Sequence, residues 1–275
     1  MVVKLLVIGL TNHNNQIFKL SEINRTKKPR IEGITAIIDT GQGLPTTKDV
    51  IEGAANYIDY CKFGWATWLI QPKDLLKKKL KLYHSHGIKT LSGGSALEAA
   101  IIIGKTEAFL ETLKTLGFTA IEISTGVVNI SPQEKSELIK KAKQLGFQTV
   151  ITEVGRKIKT EDAQLKISDR IKQIQNDLDS GADYVTIEAR ESGIGIGPYD
   201  EEGKVKEPFI EEIVAKIPSK KIIWEAPLKS QQLWLITRFG PNVNLGNIRP
   251  TDVIPLETLR IGLRGDTMTK FLAKK

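Results

Sequence analysis

The chain has 275 residues, of which 40% are hydrophobic and 26% charged, and carries a formal net charge of +8. A chain of this length buries most of its apolar surface without a disulfide or metal staple, and its single cysteine, Cys61, excludes an internal disulfide and suits a reducing cytoplasm. No apolar run approaches the roughly 20 residues of a membrane span, and the lysines lie on helix surfaces without interleaved aromatic residues, so a solvated surface is favoured over nucleic-acid binding, while an anionic small substrate suits the charge.

The opening "MVVKLLVIGL" echoes a secretory signal but lacks a small-residue cleavage site. Residues 1–30 are therefore expected to form an N-terminal segment that caps the domain. Eight strand candidates follow in order: "ITAIID", "YIDYCKFG", "IKTLS", "AIEIS", "TVITE", "YVTIE", "KIIWE" and "NVNLG". Between them one phrase recurs, in which an amphipathic helix stops at a glycine and a β-branched run begins just after it. The glycines are Gly87, Gly117, Gly146 and Gly181, spaced 30, 29 and 35 residues apart. A glycine just past a helix end takes up the left-handed conformation that other residues resist. Ser131, Pro132 and Glu134 read as a capping box with proline at the first helical position. Ile167, Ile171, Ile174 and Leu178 make one apolar stripe. Eight repeated βα units predict an α/β fold, a single-domain (β/α)8 TIM barrel over residues 1–275, with a doubly wound open sheet as the competing arrangement. No linker divides the chain, and assembly into a homo-oligomer is left open.

Reacting groups in such a barrel sit where strands end at the C-terminal face. The candidate strands end at Asp39, Lys62, Ser92, Glu122 with Ser124, Glu153, Glu188, Glu225 and Asn244. Glu122, Glu153, Glu188 and Glu225 close four successive strands, and buried carboxylates need partners. A divalent cation, Mg2+ foremost, is one solution, because it takes hard oxygen ligands. Salt bridges to Lys62, Lys157, Arg190 and Arg264 are the other. Lys157, just past the fifth strand, reads as an ion-pair partner, a proton donor or a phosphate contact. Arg264 suits phosphate or a surface ion pair, and the turn at Gly246 suits a backbone phosphate site. His13, His84 and His86 lack ligand spacing, and Cys61 reads as core. "GIGIG" (193–197) matches neither the dinucleotide fingerprint nor the P-loop and is expected to be a mobile lid.

The segments "YIDYCKFGWAT", "GGSALE", "IEISTG", "TEVGRK", "IEARESG", "WEAPLKSQQ", "VNLGNI" and "LETLRIGLRGDT" resemble, in this order, the phosphosulfolactate synthase family, which includes bacterial and plant heat-stress-associated relatives. The resemblance implies a (β/α)8 barrel. It implies Mg2+-dependent addition of sulfite to phosphoenolpyruvate, giving 2-phospho-3-sulfolactate, the reaction that opens coenzyme M biosynthesis in archaeal members. On that reading Lys157 donates the proton, with Glu153 beside it. Asp39, Lys62, Arg190, Asn244, Gly246 and Arg264 bind substrate, and the four glutamates hold the metal. The chain departs from the family's sulfite-using pattern at Thr40, Trp68, Thr125, Ile194 and Ile196. A different small nucleophile, or a non-catalytic stress-associated barrel, is therefore the alternative reading.

Overall fold

The computed structural model describes residues 24–271. Its frame is eight parallel strands: β1 (Thr35–Asp39), β2 (Tyr60–Phe63), β3 (Lys89–Leu91), β4 (Ala120–Ile123), β5 (Thr149–Val154), β6 (Tyr184–Ile187), β7 (Ile222–Glu225) and β8 (Leu245–Ile248). They form one sheet in the order β3-β2-β1-β8-β7-β6-β5-β4. The seam between β3 and β4 is bridged just before β4, where Thr119 N–H donates to Thr90 O at 3.2 Å and Thr119 Oγ1 accepts from Thr90 N at 3.0 Å. A sheet this close to closure is a (β/α)8 barrel, and the open-sheet alternative falls.

Each strand is followed by helix: α1 (Leu44–Ala54), α2 (Lys73–Ser85), α3 (Gly94–Ile102), α4 (Thr106–Leu116), α5 (Pro132–Gln144), α6 (Lys159–Gln164), α7 (Ile167–Asp179), α8 (Glu207–Val214), α9 (Lys229–Phe239), α10 (Val253–Arg260) and α11 (Gly265–Phe271). Three of them are additions to the plain eightfold repeat. Helices α3 and α6 are inserted into the loops after β3 and β5, and α11 follows α10. The predicted capping box is present, with Glu134 N–H donating to Ser131 Oγ at 3.2 Å and Ser131 N–H to Glu134 Oε2 at 2.6 Å. The four repeat glycines are all left-handed, Gly117 at φ 99° among them.

Strand residues alternate between two cores, because successive side chains leave opposite faces. Outward residues such as Ile37, Phe63, Ile121, Val150 and Trp224 pack under the helices. Inward residues Ile34, Tyr60, Leu91, Ala120, Ile151, Tyr184 and Ile223 fill the lower half of the barrel. This layer is a plug, so polar side chains two residues further along the strands can meet only at the mouth.

The segment expected to cap the domain falls largely on residues 1–23, outside the described residues. Residues 24–33 run across the barrel floor. There Arg25 Nε donates to Glu257 Oε1 at 2.8 Å, Arg30 Nη1 to Asp59 Oδ1 at 3.0 Å, and Lys28 Nζ to the Ala55 and His86 carbonyls at 3.1 Å each. Among the described residues no helix is long and apolar enough to cross a membrane.

Candidate active site

The inward alternation carries Lys62 on β2, Glu122 on β4, Glu153 on β5, Glu188 just past β6 and Glu225 on β7 to the barrel mouth. They line one cavity of about 70 Å³. All four glutamates are at least 97% buried. One oxygen from each of Glu153, Glu188 and Glu225 lies within 4.8 Å of the other two. Glu122 stands apart from that trio, its Oε2 accepting from Gly94 N at 2.8 Å and its Oε1 lying 3.4 Å from Lys62 Nζ. Lys62 Nζ also meets Glu225 Oε1 at 2.8 Å. Backbone amides at the end of β6 hold the other two, with Ala189 N–H donating to Glu225 Oε2 and Arg190 N–H to Glu188 Oε1, both at 2.8 Å.

Lys157 reaches the same cavity from beyond β5. Its ammonium lies 2.7 Å from Glu98 Oε1, 2.9 Å from Ser124 Oγ and 3.2 Å from Glu153 Oε1. The aliphatic stem passes over Gly126, where a Cβ would come within 2.7 Å of Lys157 Cγ, so only glycine leaves room for it. Gly94 serves the same end at the start of α3, since a Cβ there would lie 2.3 Å from Ser124 Cβ.

Opposed charges at close range shift these groups strongly. Burial alone would lower Lys62, but Glu122, Glu225 and Glu153 hold it well above its ordinary value. Burial would likewise lower Lys157, and Glu153, Glu188 and Glu98 raise it. Glu153, despite a burial that favours its neutral form, is pulled down to about 2 by Lys157 and Lys62. Glu188 is pushed well above the carboxylate range by burial and by Glu153 and Glu225. Burial also raises Glu122, against Lys62. Glu98, Glu122, Glu153, Glu188 and Glu225, with Glu191 beside Arg190 at the rim, thus outnumber the cations Lys62, Lys157 and Arg190. Glu188 Oε2 is buried without a hydrogen-bond partner. An all-oxygen cluster, acidic in excess and holding an unpartnered acceptor, fits a hard divalent cation.

Four sequence-predicted residues lie elsewhere. Asp39 ends β1 pointing outward, where its carboxylate meets Lys79 Nζ at 2.5 Å and the Tyr83 hydroxyl at 3.2 Å under α2. Asn244 precedes β8 instead of ending it. At the floor its Oδ1 accepts from Ile34 N, and its Nδ2 donates to the Lys220 and Ile222 carbonyls, all at 3.0 Å. Arg264 lies on the surface with Asp266 at 3.7 Å and does not line the cavity. Gly246 sits within β8, not in a turn, and its carbonyl accepts from Ala226 N at 3.0 Å. Strand β8 begins three residues later than "NVNLG" suggested, and Asn247, not Asn244, comes to the mouth. Arg190 reaches the rim and donates from Nη1 to Lys157 O at 2.9 Å.

The glycine loop after β6 is stapled rather than free. Gln231 Nε2 donates to Gly193 O at 2.7 Å, Gly197 N–H to Asp162 Oδ2 at 2.8 Å, and Ile196 is buried. Trp68 is also core, packed on Phe109 and Phe118 with its indole N–H on Ser92 O at 3.1 Å. Sequence reasoning missed Glu98 and Asn247 as site residues. Glu98 lies within the quoted "GGSALE", and α3 carries it to Lys157.

The profile of the (2R)-phospho-3-sulfolactate synthase family matches residues 23–266. The chain belongs to that family. It is 48% identical to phosphosulfolactate synthase of Methanocaldococcus jannaschii over 86% of this chain and 94% of that one. Against the Bacillus subtilis phosphosulfolactate synthase the identity is 38%, covering 91% and 98%. A plant relative, heat-stress-associated protein 32 of Arabidopsis thaliana, is 22% identical over 86% and 88%. Among solved structures, 3-hexulose-6-phosphate synthase of Salmonella typhimurium overlays with a TM-score of 0.54 at 13% identity, covering 83% of this chain and 99% of that one, which is a likeness of fold alone. For this family member, the acidic cluster at the mouth is the feature its chemistry must explain.

Proposed function

We propose that the protein is a phosphosulfolactate synthase, a carbon–sulfur lyase that adds sulfite to phosphoenolpyruvate, with Glu153, Glu188 and Glu225 holding Mg2+. The observation that carries this reading is the ammonium of Lys157 lying 3.2 Å from Glu153, one of three buried carboxylates gathered within 4.8 Å. When bound, Mg2+ supplies a fixed positive charge beside the substrate carboxylate.

The residues have definite work in the reaction. The sulfur lone pair of sulfite forms a bond to the methylene carbon. The alkene electron pair moves onto the phosphate-bearing carbon and is delocalised into its carboxylate. A proton then completes 2-phospho-3-sulfolactate. Lys62 and Lys157, held as cations by their carboxylate neighbours, draw the anionic substrates inward. Lys157 donates the proton. Its strongly held ammonium still suffices, because an enediolate carbon is a far stronger base than an amine. Glu98 and Ser124 aim that ammonium, and Arg190 at the rim suits the phosphate. Low exposure of Lys62 and Lys157, at 11% and 12%, limits competition from water.

Thr40, Trp68, Thr125, Ile194 and Ile196, where the chain departs from the sulfite-using pattern, are absent from the cavity lining. Their side chains leave the cations named above in place, which supports sulfite over another nucleophile. A non-catalytic barrel has no use for an excess of buried carboxylates, which destabilises the folded chain. An enzyme of the cytoplasm suits the lone thiol of Cys61. The test is phosphorus NMR of phosphoenolpyruvate with sulfite and Mg2+. The expected result is a phosphate ester product with no inorganic phosphate, suppressed by a chelator. Unchanged phosphoenolpyruvate in the presence of sulfite overturns the reading.

A further inference from the structure

Four non-glycine residues of the described chain have left-handed backbones: Trp65 (φ 52°), Ala66 (φ 55°), Arg190 (φ 63°) and Asn247 (φ 54°). Trp65, Arg190 and Asn247 line the same cavity. Strained backbone gathered at one place is held there by the surrounding structure and marks a position that matters. Asparagine is among the non-glycine residues that tolerate this conformation best, so at the end of β8 it turns the chain and still offers a polar side chain.

The orientation of that side chain is fixed by a bond. Asn247 Nδ2 donates to Arg190 O at 3.3 Å. A carbonyl only accepts, so the amide nitrogen must face it and the amide oxygen must turn the other way. That oxygen is buried and has no hydrogen-bond partner, and the same is true of Glu188 Oε2. Two orphaned acceptors therefore border one cavity. Carboxylate, phosphate and sulfite oxygens are acceptors too and satisfy neither of them. A cation satisfies both.

We propose that Asn247 Oδ1 is a fourth, uncharged oxygen ligand for the divalent cation held by Glu153, Glu188 and Glu225. The proposal rests on the reading of that trio as a cation site and deepens it. The backbone at 189–190 ties three of the four ligands to one frame. Ala189 N–H holds Glu225, Arg190 N–H holds Glu188, and Arg190 C=O holds Asn247. A neutral oxygen adds coordination without adding repulsion to three crowded carboxylates, which is a common role for asparagine carbonyls around hard cations.

Two substitutions separate the side chain from the backbone. Asn247→Gly keeps the left-handed conformation and deletes the amide, whereas Asn247→Asp keeps an oxygen ligand in a residue that also tolerates it. Binding of Mn2+ alone to the full chain is read from the electron paramagnetic resonance signal of the free ion, with the metal-free melting temperature reporting the fold. The expected result is binding weaker by roughly tenfold or more in Asn247→Gly and distinctly less weakened in Asn247→Asp, which keeps an oxygen ligand but loses the bond to Arg190 O. Unchanged Mn2+ affinity in Asn247→Gly overturns the proposal, as does equal weakening in both variants. If the unsubstituted protein binds no Mn2+, the cation site itself is refuted and the proposal falls with it.

Discussion

The two ends of the barrel handle charge in opposite ways. At the floor, three cations are matched one against one with carboxylates, while buried Arg260 donates to the Pro241, Val243 and Ile34 carbonyls. Arg25 meets Glu257 at 2.8 Å, Arg30 meets Asp59 at 3.0 Å, and Lys143 meets Asp183 at 2.5 Å. Of the lysines left over at the floor, Lys28 donates to backbone carbonyls, while Lys89 Nζ lies 5.7 Å from the Tyr60 ring and Lys221 Nζ 5.9 Å from that of Tyr184. At the mouth, like charges are crowded together, burial and neighbouring carboxylates push Glu188 well above the carboxylate range, and two buried oxygens go without partners. A fold that can pair its charges at one end and leaves them frustrated at the other has reserved the second for a ligand. The same division between stabilising floor and reacting mouth runs through barrels of this class.

The comparison can be broken at either end. The largest effect is expected from Lys157→Ala, which removes the proposed proton donor and should lower turnover by about 10²–10⁴-fold, measured as the rate of phosphoenolpyruvate loss with sulfite. Retained turnover would make the mouth's charges structural, like those of the floor. Next comes Asn244→Ala. It strands a buried N–H and two carbonyls, and should destabilise the fold by about 2–4 kcal/mol in urea unfolding. Turnover per folded molecule should stay near that of the parent, and its collapse in folded protein would mean that the floor reaches the chemistry.

The smallest effect belongs to Lys28, also at the floor. Burial brings its ammonium down to about 8, against the pull of Asp59, from an ordinary value of 10.5. Between those values the unfolded chain binds more protons than the folded one, so stability should rise as pH increases from about 8 towards 10.5. Below that window Lys28 is charged in both states and its contribution is flat. Urea midpoints across the range should show the rise in the parent and a smaller one in Lys28→Met. Equal slopes would assign the dependence to other groups.

The alternation of apolar and acidic residues in "AIEIS", "TVITE", "YVTIE" and "KIIWE" was enough to bring Glu122, Glu153, Glu188 and Glu225 to one mouth, because a strand's side chains alternate by geometry alone. The helix-ending glycines were equally legible, since each marks a backbone conformation that depends on its immediate neighbours. Failures came where one residue of register decides the face. Asp39 follows an inward Ile38 and so turns outward to Lys79. Asn244 misled because "NVNLG" has the composition of a strand but not its ladder.

By itself, then, the sequence determined the repeated βα unit, the barrel and the carboxylate-rich strand ends, all of which rest on periodicities of a few residues. Only the tertiary structure decided which glutamates form the trio. It also decided that Glu98, 59 residues away in sequence, holds Lys157 and that Asn247 meets the backbone of Arg190 across 57 residues. Such contacts depend on how strands fall into register around a closing sheet. That is a property of all eight strands together, and no local pattern carries it.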